Sequence, residues 1–198
     1  MRQFVVIGHD APTTADFSLN DLAGGAGRLD VLCRCVTSAF FLSHAIREDV
    51  CVHLVLADEY TVTFDGSSLR RLNPDERSTA ALVRKALEER EEAIGHVPVE
   101  TSPGVSLTRR GFEATLEAVA EDGTVIQLHE DGVPAVEREP PTDPVFVLSD
   151  HHDFRPAEVE RLEGHVDERL SLGPEALHAD HAITVAHNYL DTAGFTQY

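Results

Sequence analysis

Short apolar runs alternate with longer amphipathic segments along most of this chain. The apolar runs predict strands at 4–8, 50–56, 60–64, 68–72, 105–107, 125–128, 145–148 and 165–170. Apolar residues at helical spacing predict helices at 29–40, 74–92, 109–121, 156–163 and 179–190. Asp65-Gly66 predicts a hairpin between the third and fourth strands, while Asn73 and Thr108 are predicted to cap the second and third helices. This alternation predicts one α/β domain over 1–198 with a largely parallel sheet.

Three of the predicted strands end in small, polar loops within the last third of the chain. These strand-and-loop segments lie at 125–132, 146–152 and 170–177, and the helix from 179 follows at once. In an open α/β sheet, ligands bind beyond the carboxyl ends of the strands. The three loops therefore predict one small-molecule pocket built by the C-terminal region.

The charge of the chain is unusual in kind as well as in size. Its net charge is -19, with 35 acidic residues against 15 arginines and one lysine, Lys85. An acidic surface with almost no lysine predicts adaptation to molar internal salt, where charges are screened beyond about 3 Å. Negative charge normally counts against a nucleic-acid partner. Because we interpret the acidity as a solubility adaptation, the net charge does not decide whether this protein binds nucleic acid.

Cysteine content and hydropathy bear on the cellular location. Three cysteines, an odd number, predict reduced thiols and a cytoplasmic protein. No apolar run is long enough to cross a bilayer, and residues 1–8 are too short and too strand-like for a signal peptide. We therefore expect no membrane partner.

A group of charged residues follows the glycine-rich segment 24–27. The glycines lack the spacing of a phosphate-binding loop and are interpreted as a flexible start to the first helix. Behind them lie Arg28, Asp30 and Arg34. These three residues form either a solvated ion pair or a substrate-facing site, and the sequence leaves both interpretations open.

Other chemistry has weaker support in the sequence. Arg109 and Arg110 at a predicted helix N-terminus suggest an anionic partner, because the helix dipole disfavours cations there; salt bridges to surface carboxylates are the somewhat more common explanation. The chain has 11 histidines, but the clusters at 151–153 and 178–181 lack metal-ligand spacing, so no metal site is predicted. Gly-x-Ser-x-Gly does not occur, which argues against covalent hydrolysis.

A series of segments in order resembles the SPOUT superfamily of RNA methyltransferases, in particular its archaeal tRNA pseudouridine N1-methyltransferase branch. The segments are Phe4-Val-Val-Ile-Gly-His9, Gly24-Gly-Ala-Gly-Arg-Leu-Asp-Val-Leu-Cys-Arg34, Leu54-Val-Leu-Ala-Asp58, Pro103-Gly-Val-Ser-Leu107 with Arg109-Arg110, Leu128-His-Glu-Asp-Gly132, Phe146-Val-Leu-Ser-Asp-His151, Ser171-Leu-Gly173 and Ala182-Ile-Thr-Val-Ala-His-Asn188. The resemblance covers essentially the whole chain. It implies a SPOUT-type sheet with helices on both faces, a C-terminal deep trefoil knot and a homodimer.

The resemblance also implies an activity, which is methyl transfer from S-adenosylmethionine to N1 of pseudouridine 54 in the T-loop of tRNA. On this view the N-terminal half faces the substrate and residues 124–198 bind the cofactor. Asp30 and Asp58 are the candidates to remove the N1 proton, and Arg28 and Arg34 to stabilise the developing anion. The residues expected to bind RNA are Arg109 and Arg110, and those expected to contact the cofactor are Leu128, Ser149, Ser171, Leu172, Gly173, Ala176 and Ala182.

Two residues depart from the pattern of the family. Ser149 stands where members often have glycine, close to the expected cofactor, and Ala182 stands where many have cysteine, so no nucleophilic cysteine is assigned. These departures leave open a non-catalytic RNA-binding protein of the same fold. The sequence is also compatible with a ribosomal RNA pseudouridine N1-methyltransferase and, on its histidine content, with a metal-dependent hydrolase.

Overall fold

Eight strands form one central sheet in this structure, a computed structural model that describes residues 1–70 and 72–198. The strands are β1 (Arg2–Gly8), β2 (Val50–Leu56), β3 (Tyr60–Asp65), β4 (Val99–Ser102), β5 (Val105–Thr108), β6 (Thr124–Pro134), β7 (Pro144–Ser149) and β8 (Glu168–Ser171). Their order across the sheet is β4-β5-β3-β2-β1-β7-β6-β8. The strands β2, β1, β7, β6 and β8 run parallel, while β3, β5 and β4 add antiparallel pairs at one side. The predicted α/β fold with a mostly parallel sheet is confirmed.

Helices cover both faces of the sheet. They are α1 (Leu29–Phe40), α2 (Glu76–Glu88), α3 (Phe112–Ala120), α4 (Pro156–Glu163) and α5 (Ala179–Asp191). One core packs α1, α2 and α5 against Phe4 and Val6 of β1, and a second core packs α3 and α4 against Val5 and Ile7. Because β1 is buried on both faces, its sequence is a continuous apolar run rather than an alternating one.

The two predicted N-caps are wrong, because other residues accept the hydrogen bonds from the free backbone N–H groups of α2 and α3. Asp75 rather than Asn73 caps α2, since its Oδ1 accepts a hydrogen bond from the Ser78 backbone N–H at 2.8 Å. Thr108 belongs to β5, where its hydroxyl donates to the Thr61 carbonyl at 3.4 Å. The third helix therefore begins later than predicted, after Gly111.

The predicted hairpin after β3 is also wrong. The described residues of 68–72 form no strand, and residue 71 lies outside the described part of the chain. β3 pairs instead with β2 and β5, and the hairpin partner of β5 is β4, which the sequence pattern missed. α2 ends at Glu88 rather than 92, and β8 is shorter than predicted. The predicted bounds of β2 and α4 agree with the structure.

An irregularity in β6 shapes the carboxyl edge of the sheet. Leu170 of β8 is in register with both Leu128 and Val133 of β6, so the residues between them bulge out of the ladder. Gly132 in this bulge lies directly against β8, because a Cβ added there would be 2.4 Å from the Leu170 carbonyl carbon. The bulge is therefore packed closely on the end of β8.

Among the described residues, no helix is both long enough and apolar enough to cross a membrane.

Candidate active site

The carboxyl ends of β7, β6 and β8 lie side by side and enclose a cavity of about 450 Å³. The loops that follow these strands form its walls, as the strand-and-loop segments predicted. All seven residues expected to contact the cofactor line this one cavity: Leu128, Ser149, Ser171, Leu172, Gly173, Ala176 and Ala182. Their role in cofactor binding stays a prediction, while their convergence is an observed property of the fold.

The lining of the cavity combines apolar side chains with several carboxylates. Among the described lining residues, acidic groups come from Glu130, Asp150, Asp153 and Glu175, against a single guanidinium from Arg169. Arg169 Nε donates to the Gln127 side-chain oxygen, which is part of the same wall, at 2.8 Å. This composition suits a ligand with an apolar part and a positively charged part.

Gly173 and Ser149 are two small residues of the cavity wall. A Cβ added at Gly173 would meet no atom within 4 Å, so this position faces open space. The hydroxyl of Ser149 donates to the His152 carbonyl and closes the turn after β7. Ser149 thus has a structural partner in the loop itself.

Arg28, Asp30 and Arg34 form one ion network at the start of α1. Arg28 Nε and Nη2 donate to the two carboxylate oxygens of Asp30 at 3.0 and 3.2 Å, and Arg34 Nη1 donates to Asp30 Oδ2 at 2.9 Å. Arg34 also lies 3.4 Å from the carboxylates of Glu76 and Asp180. The sequence left open a solvated ion pair or a substrate-facing site. The observed network is larger than a solvated pair, because Arg34 also contacts Glu76 and Asp180.

The network borders the cavity. Asp180 belongs to the first turn of α5, in which Ala179 and Ala182 line the cavity. The hydrogen bonds and the charge of Asp30 raise the pKa of Arg28, and the cavity residue Asp150 adds to that shift. The network therefore reaches the cavity through Asp180 and its neighbours in α5, while neither arginine is one of the lining residues.

Asp30 is ionised in this setting. Burial raises the pKa of Asp30, but hydrogen bonds and charges from Arg28 and Arg34 lower it by more, so the net shift is downward. A carboxylate with a lowered pKa accepts a proton poorly. Its geometry suits it to orient the two guanidinium groups.

The backbone before this network is tightly packed rather than flexible. Gly27 has a φ of 53°, and a Cβ added there would lie 1.6 Å from the Asp10 carbonyl oxygen. Arg28, which follows, has a φ of 60°. The interpretation of these glycines as a flexible start to the helix is wrong for Gly27, because only glycine fits against the loop after β1.

Asp58 does not lie with the other three residues of the predicted catalytic set. Its Oδ1 accepts from the Phe112 backbone N–H at 2.6 Å, and its Oδ2 accepts from Arg161 at 2.7 Å. Asp58 therefore caps α3 and ties it to α4, on the face of the sheet opposite α1.

Arg109 and Arg110 precede α3 instead of forming its first turn. Arg109 is exposed, with its guanidinium 3.9 Å from Glu59 and 6.0 Å from the centre of the Tyr60 ring. Arg110 donates to the His96 carbonyl at 3.1 Å. The argument from an unfavourable helix dipole therefore fails, although Arg109 stays accessible to an anionic partner.

Sequence reasoning missed a buried histidine beside the cavity. His9 lies between two carboxylates, with Nδ1 3.0 Å from Asp150 Oδ1 and Nε2 2.8 Å from Glu158 Oε2. The available sequence signal for this cluster was the polar residue that follows each of the apolar runs of β1 and β7. It could not be used without knowing that these two strands are neighbours.

Two sets of possible metal-binding atoms lie near this histidine, each within 4.8 Å: His9, Asp150 and His152, and Asp10, His151 and His152. The ring nitrogens of His9 already contact carboxylates, which makes the first set a hydrogen-bonded cluster. The residues of the second set are all exposed. We assign no metal to either set.

The three thiols belong to the core. Cys33, Cys35 and Cys51 are buried and free, and burial raises the pKa of each. A buried thiol with a raised pKa is a poor nucleophile, in agreement with the absence of an assigned catalytic cysteine.

Comparisons with known proteins give a consistent picture. Residues 1–195 match the family described as "Putative SAM-dependent RNA methyltransferase". A protein of Haloarcula marismortui is 81% identical over the whole of both chains, and one of Methanosarcina acetivorans is 46% identical over 98% of this chain and 92% of its own. Both are named tRNA (pseudouridine(54)-N(1))-methyltransferase.

The fold has a counterpart among solved structures. Archaeoglobus fulgidus Nep1 bound to S-adenosylhomocysteine superimposes with a TM-score of 0.64, covering 96% of this chain and 97% of that one, at 13% sequence identity. At this identity the similarity concerns the fold alone.

Proposed function

The chain belongs to the family of S-adenosylmethionine-dependent RNA methyltransferases, and we propose that it methylates N1 of pseudouridine 54 in the T-loop of tRNA. The single observation that carries the proposal is the cavity at the ends of β7, β6 and β8, where all seven predicted cofactor contacts converge. The names of the relatives from Haloarcula and Methanosarcina support the choice of substrate.

The cavity fits the proposed cofactor in size and charge. Its volume of about 450 Å³ lies within the range usual for small-molecule sites. Apolar contacts from Leu128, Leu172 and Ala182 suit an adenine ring, and the acidic rim suits a ligand that carries a sulfonium and an ammonium group. When bound, S-adenosylmethionine supplies an electrophilic methyl group, so the residues of the protein have to align the substrate and exclude water.

The substrate explains why little other chemistry is needed. In uridine, N1 forms the glycosidic bond, whereas in pseudouridine the sugar is attached through carbon and N1 carries a proton. Loss of that proton leaves negative charge on the base, which a nearby guanidinium stabilises. Arg28 and Arg34 are proposed for this role, which is supported by the network in which Asp30 holds both of them near the first turn of α5.

This arrangement changes the proposed role of the two aspartates. Asp30 orients the guanidinium groups, because its lowered pKa makes it a weak base. Asp58 stabilises the α3–α4 face. We therefore assign removal of the N1 proton to neither carboxylate.

Binding of the tRNA is proposed to use exposed arginine side chains. Arg109 is accessible at the carboxyl end of β5 and contributes a charge-assisted contact to phosphate. Arg110, partly held by the His96 carbonyl, is proposed to support the same surface. At molar salt such local contacts count for more than diffuse attraction, because counterion release contributes little.

Three further properties belong to the same proposal. A C-terminal knot is supported by the double pairing of Leu170 with β6 and by the Tyr189 hydroxyl, which donates to the Arg138 carbonyl at 3.2 Å. A homodimer is supported by the exposed apolar side chains of Val136 and Leu177 on the segments around the cavity. The protein is proposed to function in a cytoplasm of high salt. The reduced, buried thiols support the cytoplasm, and the net charge of -19 supports the high salt.

The test is transfer of labelled methyl groups to paired tRNA transcripts, one with uridine and one with pseudouridine at position 54. We expect labelling of the pseudouridine transcript alone, because only that base presents an unsubstituted N1. Equal labelling of both transcripts would show that N1 is not the nucleophile. A small-subunit ribosomal RNA hairpin with pseudouridine, labelled in preference to tRNA, would move the assignment to the other RNA.

Substitution of Arg34 separates the substrate site from the cofactor site. Arg34→Ala is expected to lower turnover far more than it lowers affinity for S-adenosylmethionine. Arg90→Ala is the matched control, because both side chains are 34% exposed and Arg90 contacts only Glu91 among the described acidic residues. Equal losses in the two variants would argue against a role of Arg34 at the site.

A further inference from the structure

His9 and Asp150 are the first residues after two neighbouring strands. β1 and β7 are parallel, with Ile7 in register with Ser149, and each strand is followed by a polar residue. The chain therefore leaves the sheet at two adjacent points of its carboxyl edge. One of these points begins the loop that forms a wall of the cofactor cavity, residues 150–155.

The side chain of His9 is hydrogen bonded on both sides. Its Nδ1 is 3.0 Å from Asp150 Oδ1, its Nε2 is 2.8 Å from Glu158 Oε2, and its backbone N–H donates to Asp150 Oδ2 at 2.8 Å. The side chains of His9, Asp150 and Glu158 are only 1%, 2% and 5% exposed. Two carboxylate acceptors are both satisfied only by an imidazole that donates from both nitrogens, which is the protonated form.

The two carboxylates also organise the two ends of the 150–155 loop. Asp150 Oδ1 accepts from the His152 backbone N–H at 2.8 Å, at the start of the loop. Glu158 Oε2 accepts from the Arg155 backbone N–H at 2.7 Å, where the loop enters α4. Asp150, His152, Asp153 and Phe154 line the cavity. His9 thus connects both ends of one cavity wall.

We propose that His9 is a positioning residue, which holds the 150–155 loop in its cofactor-binding form through simultaneous hydrogen bonds to Asp150 and Glu158. This inference rests on the proposed function, because it assumes that the cavity binds S-adenosylmethionine. His9 itself is buried behind the wall and acts on the ligand only through the loop.

The charges around His9 set the direction of the pH effect. Burial lowers the pKa of His9, but the hydrogen bonds and charges of Asp150 and Glu158 outweigh it, so the net shift is upward. The other titratable groups facing the cluster are His152, with its ring centre 5.8 Å from that of His9, His151, 3.6 Å from Asp150, and Asp10, 3.9 Å from His152. Arg28 on the α1 side interacts with Asp150 by charge.

The loop is therefore held most firmly when His9 is protonated. As pH rises through the folded-state pKa of His9, one of the two hydrogen bonds is lost and a buried carboxylate is left without its partner. Affinity for the cofactor should fall by about tenfold over this range, as expected for a charged hydrogen bond. His9→Gln, which donates to one carboxylate at most, should have the weaker affinity at low pH and about the affinity of the neutral histidine form at high pH.

The test measures binding of S-adenosylhomocysteine by calorimetry from about pH 6 to about pH 9 in molar KCl. A His129→Asn, His151→Asn, His152→Asn background removes the two imidazoles that line the cavity, those of His129 and His152, and the imidazole of His151 beside Asp150, so that the remaining pH dependence reports His9. His53→Gln in the same background is the matched control. His53 is buried between Thr63 and Gln3 and stays neutral, because burial lowers its pKa to about 4.

We expect the affinity to fall with rising pH in the background protein and in the His53 control, and to be independent of pH with His9→Gln, at the low value that the background protein reaches at high pH. An affinity and pH profile unchanged by His9→Gln overturns the positioning role, even if the melting temperature falls. If His9→Gln does not fold, the background protein decides alone, and a flat profile there overturns the role. Absence of binding by the unaltered protein at every pH overturns the proposed function itself, and the positioning role with it.

Discussion

Replacement of Gly27 by alanine tests how closely the segment before α1 packs on the loop after β1. A Cβ at this position would lie 1.6 Å from the Asp10 carbonyl oxygen and 2.4 Å from its carbonyl carbon. Real Cβ atoms do not approach other heavy atoms within 3.0 Å, so the segment has to move by more than 1 Å. Gly95 is a natural control, because its φ of 61° is similar while nothing lies within 4 Å of an added Cβ.

The expected magnitudes follow from these two environments. A left-handed backbone costs alanine about 1–2 kcal/mol relative to glycine, and the reduced freedom of the unfolded chain offsets about 0.4–1 kcal/mol of that. Gly95→Ala should therefore destabilise the fold by about 1 kcal/mol or less. Gly27→Ala adds forced overpacking against backbone, typically about 1–3 kcal/mol, so we expect a total loss of about 3 kcal/mol.

Urea titrations in molar KCl measure both variants without changing the ionic strength. Methyl transfer by the folded protein should also fall for Gly27→Ala, because the displaced segment carries Arg28, and should be unchanged for Gly95→Ala. Equal free energies of unfolding for the two variants would refute the close approach between Gly27 and Asp10. A Gly27→Ala variant that is stable and fully active would further show that the position of this segment does not affect the site.

Two other predictions concern the cavity and the charge of the protein. Gly173→Val should change the melting temperature little, since a Cβ at this position meets no protein atom within 4 Å, yet it should abolish binding of S-adenosylmethionine by crowding the cavity that Gly173 lines; undiminished affinity would contradict this placement of the cofactor. Folding and activity should both require molar salt, because 35 acidic residues repel one another when screening is weak. A melting temperature that is constant from dilute buffer to molar KCl would be inconsistent with that requirement.

Much of the fold could be predicted because the central strands are buried on both faces. The apolar run at Val50–Leu56 needs no partner to be recognised, and Pro156 marks the start of α4 without tertiary information. β4 was missed because Val99–Ser102 is a short edge strand with only one residue fully buried. The prediction of Thr108 as a helix cap was wrong because its hydroxyl donates to the Thr61 carbonyl of β3, a strand that is distant in sequence.

The site was predictable only as far as it depends on the order of elements along the chain. Loops after successive parallel strands meet at one edge of a sheet, so the cavity followed from the strand ends alone. The ion network of Arg28 with Asp30 is local in sequence, and its residues were identified. The cluster of His9 with Asp150 and Glu158 joins segments about 140 and 150 residues apart. Only the observed neighbourhood of β1 and β7 brings them together.

The central position of β1 has a consequence for synthesis of the protein. Phe4 is in register with Val52 on one side and with Phe146 on the other, so β1 completes its pairing only after β7 has been synthesised. Contacts between residues so distant in sequence slow folding, because the chain loses much freedom before they form. Until then, an apolar strand keeps an unpaired edge, which favours aggregation. The nascent chain is therefore most vulnerable before β7 has been made, and the cavity at the ends of β7, β6 and β8 forms only after that point.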